Sequence, residues 1–443
     1  MTEKQFVSLP VRTVFFKLAV PGVLGMLFSS MFFIIDGIFI GRYLGTEALA
    51  AVNLMMPPLF ILFSVSDMIA VGSSVKVATA LGQNRYDKAR GLFSASIFLS
   101  IALGVLIGGV GLLVIPALLP GIIADASLAA LAWQFLFPFL LTLPLIMPFF
   151  AADNFLRAVG KSNYSMKLSA FTSILNIFLD WLLLAELRLG IEYAAAATAL
   201  CISAGSLLSL TPFLSRSASL HFTAPRMTGR ELREILYNGG SEFFNNIASS
   251  SISIIMNAAL LALGGAPAVA SYSIVMYLNT LLSGALDGIF DSLQPAVSYH
   301  AGARETDRIR QLFRLACAVT AGISMLCMLV LLLFPETLAE LFIEEDPSLV
   351  PLTVTAVTLF APSYLFTWFN MATNSFMTAL DKPRESMIIV LCGTVIFPLM
   401  SLAVLPKLFA LNGLFLISAV SGGLTALIAY ALWHKRCGHI SLF

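Results

Sequence analysis

Apolar residues along this 443-residue chain are gathered into twelve segments, with short polar stretches between them. Most segments match the roughly 20 residues that a helix needs to cross a bilayer. Helices are the natural choice because every backbone group must be satisfied within its own segment. The pattern predicts an all-α integral membrane protein with twelve transmembrane helices. The segments are 14–41, 50–78, 91–115, 128–152, 165–185, 193–214, 239–263, 272–298, 313–335, 350–378, 386–406 and 412–433.

The second half of the chain repeats the first. Residues 48–93 align without a gap to residues 268–313, which lie 220 positions later. The matching pairs include Asp67 with Asp287, Gly82 with Gly302, Asp87 with Asp307, Arg90 with Arg310, Phe93 with Phe313, Asn154 with Asn374 and, after one inserted residue, Lys161 with Lys382. Six spans per half give both halves one orientation and place a cleft between them, as in many transporters.

This repeat predicts three parts. An N-terminal six-helix lobe covers residues 1–214, a linker covers 215–238, and a C-terminal six-helix lobe covers 239–443. The linker is the most polar long stretch of the chain and is interrupted by Pro225. Its polar and basic character favours a solvated amphipathic linker near anionic lipid headgroups.

Composition and charge support a membrane setting. The chain is 59% hydrophobic and 11% charged, with a mean hydropathy of +0.93, whereas soluble chains carry roughly 25% charged residues. With the N-terminus inside, 22 of 25 Lys and Arg lie on the inner side, all except Arg42, Arg188 and Lys407. This asymmetry predicts a plasma (inner) membrane protein with both termini cytoplasmic. The acidic run Glu336, Glu340, Glu344, Glu345 and Asp346 then lies in an outer loop.

Several kinds of segment and site are not indicated. Basic residues such as Lys4 precede a long apolar run without a small-residue cleavage site, which favours a retained first helix over a signal peptide. The five scattered cysteines indicate neither disulfides nor a metal site. Gly160-Lys161-Ser162 ends like a phosphate-binding loop, but Phe155 stands where the first glycine belongs. We therefore expect no ATPase domain, no cofactor, and transport that is ion-driven or passive.

Seven acidic residues lie inside the predicted spans. A charge at mid-bilayer costs at least roughly 2.5–3.5 kcal/mol, and basic residues are almost absent from these segments. Without basic partners, the carboxylates must be protonated or hold a cation, and both states are typical of an ion-driven carrier. The seven are Asp36, Asp67, Asp153, Asp180, Glu242, Asp287 and Asp291.

Four polar residues of the N-terminal lobe are predicted to meet in its outer half. Asp36 lies in the first span, Asn176 and Asp180 share one face of the fifth, and Thr198 lies in the sixth. An oxygen-only set suits a hard monovalent cation or a shared proton. The alternative is a hydrogen-bonded cluster that only joins helices, but such contacts stabilise by roughly 0.6 kcal/mol on average. That stabilisation is small compared with the free-energy cost of placing two acidic side chains inside the membrane.

These residues resemble those of a known transporter family. The run 36–51, which starts at Asp36 and precedes Pro57, and the run 154–161 resemble signatures of the multidrug and toxic compound extrusion (MATE) transporters. Asn176, Asp180 and Thr198 resemble the N-lobe cation site of the prokaryotic members. The resemblance implies antiport of Na⁺ or H⁺ against cationic or amphipathic drugs. It also implies that the first helix bends at a proline, here Pro21.

Two interpretations are open for the remaining acids. Asp67 and Asp287 are repeat partners, and Asp291 lies one turn after Asp287, so across a cleft they would attract a cationic substrate. Capping by neighbouring Ser or Asn side chains is an equal alternative. Glu242 lies near the inner end of the seventh span and does not clearly match the acid that some family branches place there. Asn154 is a possible member of the same polar network.

We expect the drug antiporter to be a monomer that binds no nucleic acid. Two other functions are alternatives to a drug antiporter. One is a membrane-embedded enzyme with Asp36 and Asp180 as acid and base, although no nucleophile motif is present. The other is a lipid-linked-sugar flippase of the same superfamily. Such flippases commonly have extra spans and a basic cleft for pyrophosphate, whereas the central helices here are acidic.

Overall fold

The computed structural model describes residues 5–343 and 347–437, without the side chains of residues 33, 347, 436 and 437. Lys4 and the acidic residues Glu344, Glu345 and Asp346 lie outside the described residues. The first lobe contains six long helices, which follow a single turn at Gln5–Ser8. They are α1 (Val11–Leu44), α2 (Thr46–Gly82), α3 (Tyr86–Ile122), α4 (Ala126–Ala158), α5 (Ser162–Glu186, ending in the π-helical turn Trp181–Glu186) and α6 (Ile191–Phe213).

The second lobe also contains six long helices, with the short helix Pro335–Glu340 between the third and the fourth of them. Residues Gly229–Gly302 form two helices that follow each other directly. They are separated at Gly265, which has a positive φ of 67°. The stretch Pro383–Phe415 is likewise interrupted at Ala410. The helices are α7 (229–264), α8 (266–302), α9 (Thr306–Leu333), α10 (Val350–Ala379), α11 (383–409) and α12 (411–437). The predicted all-α fold with twelve spans is confirmed, and α7 begins at Gly229, inside the segment predicted as the linker.

The backbone repeats between the lobes in its rarest conformations. Left-handed residues, which are uncommon except at glycine, occur at matching positions of the two halves. These pairs are Gly45 (φ 87°) with Gly265 (67°), Asn84 (59°) with Arg304 (60°), and Gly160 (78°) with Asp381 (56°). Equivalent helices of the two lobes therefore end at equivalent positions and with the same type of turn.

Each lobe is organised around an equivalent aromatic pair. The rings of Phe93 and Phe155 meet edge to face, with centroids 5.0 Å apart and planes at 73°. Their repeat partners, Phe313 and Phe376, meet at 4.8 Å and 75°. All four rings are buried, and edge-to-face contact adds about 0.5–1.5 kcal/mol beyond the burial of apolar area. The same helices are thus joined by the same contact in both halves.

The lobes meet closely at one face of the bundle, which we call the basic face. It carries the start of α1 and the connections 83–85, 159–161, 214–228, 303–305 and 380–382. A Cβ at Gly82 would lie 2.0 Å from the carbonyl oxygen of Tyr299, and one at Gly302 would lie 2.2 Å from that of Thr79. Because Thr79 and Tyr299 are also repeat partners, the two contacts are one contact seen from either side of a twofold axis.

Ion pairs also join the lobes at the basic face. Lys76 of α2 lies 3.0 Å from Glu234 of α7 and 2.6 Å from Asp381, between α10 and α11. The Asn238 side chain donates to the same Asp381 carboxylate at 2.9 Å. These groups lie where the glycine contacts already bring the helices together, so this end of the molecule is closed.

Candidate functional site

The four polar residues predicted in the first lobe lie together. We call Asp36, Asn176, Asp180 and Thr198 the N-lobe cluster. All four are buried, with exposed fractions of 3%, 0%, 0% and 4%. They lie on three different helices. They meet because α1 packs against α5 and α5 packs against α6. The helix periodicity and depth used in the prediction therefore match the positions of these side chains.

The geometry of the cluster is fixed by α5. Asn176 and Asp180 lie one turn apart, and Asp180 is the last residue before the π-helical turn Trp181–Glu186. The Asn176 amide donates a hydrogen bond of 3.0 Å to the Thr198 hydroxyl on α6. The Asp180 carboxyl faces the Asp36 carboxyl of α1 closely enough to share a proton with it. Three helices thus contribute oxygen atoms to one small volume.

Four oxygen atoms of this cluster lack a hydrogen-bond donor among the described residues. They are Oδ1 of Asp36, Oδ1 of Asn176 and both carboxyl oxygens of Asp180. Buried acceptors without donors cost about 1–3 kcal/mol each, and charged ones cost more. A monovalent cation or a proton shared between the carboxyls would satisfy them.

Pro21, the predicted bending point, lies within α1, which is one uninterrupted helix from Val11 to Leu44. Its neighbour Gly22 packs directly on α8, where an added Cβ would lie 2.1 Å from the carbonyl oxygen of Gly288. A Cβ added at Gly22 would also lie 2.0 Å from the hydroxyl oxygen of Ser292. The helix that carries Asp36 therefore touches the other lobe immediately next to its proline.

The second lobe encloses a cavity of about 470 Å³ between α7, α8, α10, α11 and α12, which we call the C-lobe chamber. Three acids predicted from the sequence, Glu242, Asp287 and Asp291, line it. Other parts of its wall are neutral and polar, and others are apolar. The neutral polar residues include Asn245, Asn279, Asn370 and Asn374. The apolar and aromatic residues include Met256, Met276, Tyr272 and Phe360.

The acids of the chamber have no hydrogen-bond donors. No described residue donates to Glu242, Asp287 or Asp291, so capping by Ser or Asn is not what keeps them there. Their charges act on one another. Asp67 of α2 lies across the lobe boundary, within electrostatic range of Glu242 and Asp291.

The expectation that none of the seven acids has a basic partner is wrong for Asp153. Its carboxylate lies 2.6 Å from the Arg157 guanidinium, one turn along α4, and it also accepts a hydrogen bond from Ser165. Arg157 had been counted among the inner-side basic residues, but its side chain is only 11% exposed. The neighbouring Asn154 donates to the carbonyl of Phe150 within its own helix.

Two residues of the chamber were missed by the sequence analysis. Gln294 is 4% exposed and lines the cavity. Asn370 donates to the carbonyl of Gly422, but its own side-chain oxygen has no partner. The signal for Gln294 was present, since residues 287, 291 and 294 follow the i, i+4, i+7 spacing of one helix face.

A multinuclear or transition-metal site is not indicated. Among residues 5–343 and 347–437, no three His, Cys, Asp or Glu side chains group closely enough to hold a metal ion together. The two carboxyls of the N-lobe cluster, with one amide and one hydroxyl, are a different kind of site, suited to a monovalent cation.

Comparison with known proteins decides the family. The MatE family model matches residues 21–182 and 243–402, one stretch in each lobe. The chain belongs to the MATE family. Its MATE relatives include the multidrug export protein MepA of Staphylococcus haemolyticus, to which it is 26% identical over 425 residues, covering 94% of this chain and 93% of the relative.

Solved MATE structures share the whole fold. A MATE protein in complex with MaL6 superimposes with a TM-score of 0.93 at 21% identity, covering 99% of both chains. An outward-facing multidrug resistance MATE transporter of the MOP superfamily superimposes at 0.92, covering 99% of this chain and 98% of the other. The family match and the curated relatives make this MATE protein a multi-pass membrane protein of a transporter family.

Proposed function

We propose that this protein is a secondary antiporter that exports cationic or amphipathic small molecules in exchange for Na⁺ or H⁺. The N-lobe cluster is the site of the coupling ion, and both termini face the cytoplasm. The single observation that carries the proposal is the set of four buried, donorless oxygens shared by Asp36, Asn176 and Asp180. Similarity to multidrug export proteins supports the exporter role.

Charge neutralisation is the step that this cluster performs. With both carboxyls ionised and facing each other, α1 and α5 repel at the Asp36–Asp180 contact. A cation or proton removes that repulsion and supplies the missing partner for the buried oxygens. Its arrival therefore favours close packing of α1 on α5, and its departure favours a displaced α1. Pro21 is where α1 lacks a backbone hydrogen bond and bends most easily.

The chamber supports export of cations rather than anions. No Lys, Arg or His side chain lines it, whereas three carboxylates do. An anionic pyrophosphate would have to enter a cavity of its own sign, which costs several kcal/mol at close range. The flippase alternative is therefore disfavoured by the charges of the cavity itself.

Transport in proteoliposomes tests the proposal. We expect parent protein to move a fluorescent organic cation against its gradient when either a Na⁺ gradient or a pH gradient is imposed, and the two gradients applied separately identify the ion. Asp36→Asn should reduce gradient-driven movement to the level of protein-free vesicles while the purified variant still binds the cation. The matched control is Asp87→Asn, because the Asp87 side chain is 98% exposed on the basic face. Equal transport by Asp36→Asn and parent would refute the coupling role.

A further inference from the structure

A second cavity lies at the basic face of the first lobe. It encloses about 530 Å³ between the starts of α3 and α5, the end of α6 and the first residues of the linker, and we call it the linker pocket. Three basic side chains line it, Arg90, Lys161 and Arg216, and no acid among the described residues does. The chamber has the opposite composition, with three acids in its wall. The two cavities therefore carry formal charges of opposite sign.

Two of the three cations of the linker pocket have no counter-ion in the described part of the chain. No acidic side chain there pairs with Lys161 or Arg216. Arg90 does contact Asp87, at 3.3 Å, but the Asp87 side chain is 98% exposed, so water screens that pair. Like charges around one cavity repel, and a bound anion removes the repulsion. The pocket therefore calls for an anion from outside.

The guanidinium of Arg90 is held in a fixed position. Its Nε donates to the carbonyl oxygen of Ser219 at 3.0 Å, and its central carbon lies 5.9 Å from the centre of the Tyr86 ring. These contacts leave the terminal nitrogen Nη2 without a partner among residues 5–343 and 347–437. A guanidinium that is already oriented loses little conformational entropy when it binds an anion. Arg90 is therefore a pre-positioned donor.

Lys161 stands at the start of α5, where a cation is ordinarily unfavourable. It belongs to the run Gly160-Lys161-Ser162, which ends like a phosphate-binding loop, and Gly160 has the left-handed φ of 78° that suits glycine. The helix has no side-chain cap and no acid in its first turn. The partial positive charge of a helix N-terminus repels a lysine and attracts an anion. An anion in the linker pocket would supply the negative charge that this helix start lacks.

The surroundings of the pocket indicate which anion fits. A phosphate group accepts hydrogen bonds from guanidinium and ammonium groups together. We infer that the linker pocket binds a phosphate group and that an anionic phospholipid supplies it. Phe213 at the end of α6 lines the pocket, the next residue, Leu214, is 69% exposed, and Leu207 is 57% exposed. Basic pockets between membrane helices bind lipid headgroups in this way, and the acyl chains would lie along the end of α6.

A phosphate bound here would fasten the linker to the first lobe. The linker is already joined to α3, because the backbone N–H of Thr223 donates to the Ser94 hydroxyl at 3.0 Å. Arg216 belongs to the linker and Lys161 to the start of α5, so an anion between them connects the linker to a second helix. The linker leads into α7 of the other lobe. The lipid would therefore act on the connection between the lobes.

Lipid binding by the full chain tests the inference. Purified protein in neutral detergent is titrated with phosphatidylglycerol or with phosphatidylcholine of the same acyl chains, and bound lipid is counted by native mass spectrometry. We expect the parent to bind its first phosphatidylglycerol about tenfold more tightly, because phosphatidylcholine has the phosphate but no net charge. The double variant Lys161→Met/Arg216→Met should lose most of that preference.

A matched control separates the pocket from the general charge of the basic face. Lys167→Met/Arg233→Met removes the same charge from two exposed side chains outside the pocket, and should keep the preference. Ser217→Glu leaves all three cations in place but adds a carboxylate to the pocket wall, and should lose the preference too. No preference in the parent, or equal losses in the two double variants, would overturn the inference.

Competition identifies the source of the phosphate. Glycerol 1-phosphate carries the phosphate of the headgroup without acyl chains. If it fails to displace phosphatidylglycerol from the parent, the phospholipid is supported as the ligand. If it displaces the lipid at equal concentration, and Lys161→Met/Arg216→Met binds neither, phosphate binding by the pocket is supported and the lipid as its source is overturned.

Discussion

The two lobes share a backbone but place their acids at different positions. Counting 220 residues on from Asp36 reaches Met256, so the first-helix acid of the N-lobe has an apolar partner in the C-lobe. In the other direction, Glu242 corresponds to Gly22, which packs against α8. From residue 386 to the end of α11 there is no acid to match Asp180. A duplicated scaffold has thus kept its turns and contacts while each half acquired its own chemistry.

One acid inside the spans is common to both lobes. Asp67 and Asp287 occupy the same repeat position in α2 and α8, two helices that contact each other across the lobe boundary. Asp287 lines the chamber, and Asp67 acts on the chamber's acids from across the boundary. The acid position that both lobes keep is therefore one from which a carboxylate acts across the lobe boundary.

The largest expected effect concerns the ion site. Asp180→Asn should abolish any ion response of the N-lobe cluster, because it removes one of two carboxyls and places an amide N–H among the buried acceptors. Trp181 follows Asp180 directly in the π-helical turn and reports on it. We expect Na⁺ or acid titration of a variant with Trp181 as its only tryptophan to change the emission, and the change to vanish in Asp180→Asn.

The equivalent change in the other lobe is the control. Asp291→Asn should leave the Trp181 response unchanged, because Asp291 lies in the chamber and not in the cluster. A response that disappears equally in both variants would mean that the two acidic regions titrate as one, and the comparison between the lobes would lose its basis.

Much of this architecture was predictable because transmembrane segments are under strong physical constraints. The span count follows from hydropathy, and the repeat follows from glycine and polar positions. The N-lobe cluster was predictable because Asn176 and Asp180 share a face and α5 and α6 are joined by a short connection. These arguments need only helix periodicity and the depth of each residue within its span.

The chamber was less predictable, for reasons of cost and contact. A neutral side chain such as Gln294 costs little in an apolar helix, so nothing marked it out beyond its spacing from Asp291. The Arg157–Asp153 pair was overlooked because Arg157 was assigned to the inner side by its position. The repeated glycines Gly82 and Gly302 were informative, but their reason lies in the approach of the two lobes, which only the folded structure shows.

The scaffold itself predicts the second-largest effect. Gly82→Ala and Gly302→Ala should destabilise to similar extents, because each adds a Cβ about as close to a carbonyl of the other lobe, at 2.0 and 2.2 Å. Overpacking of this kind costs about 1–3 kcal/mol, measurable as a lower melting temperature in detergent. Gly109→Ala is the control, since no atom lies within 4 Å of a Cβ there. Unequal losses for Gly82 and Gly302 would contradict a symmetric interface.

A smaller effect concerns the ion pairs that cross the basic face. Lys76 pairs with Glu234 and Asp381, whereas the residue at its repeat position is Ala296. Both acids are about 40% exposed, so solvent screening limits the effect of Lys76→Met to below about 1 kcal/mol. We expect a twofold to fivefold faster reaction of a cysteine placed at Thr79 with a water-soluble maleimide.

The matched control for that measurement is Lys88→Met. Lys88 also pairs across the lobes, with Glu231 at 2.8 Å, but its side chain is 48% exposed and has one acidic partner rather than two. It should change the labelling rate less than Lys76→Met. If both variants leave the rate at the parent value, the glycine contacts alone close this face and the ion pairs contribute nothing.

The smallest expected effect distinguishes the starts of two equivalent helices. Asp125 caps α4 by accepting hydrogen bonds from the backbone of Ser127 and Leu128, whereas α10 follows Leu349, whose side chain has no acceptor. The Ser127 hydroxyl, which donates to the same carboxylate at 2.7 Å, and the backbone N–H groups of Leu128 and Ser127 hold the pKa of Asp125 below its usual value. A depressed carboxyl pKa stabilises the fold above the unfolded pKa, and this contribution is lost as the pH falls through the folded pKa.

Asp125→Ala should therefore lower the melting temperature by about 1–2 °C at pH 7. The difference from parent should shrink as the pH falls through the depressed pKa, because the protonated parent is a weaker cap. Leu349→Asp is the converse change, since it offers α10 a cap at the matching helix start and should raise the melting temperature slightly at pH 7. A pH-independent difference for Asp125→Ala would show that the carboxylate charge is not what stabilises this helix end.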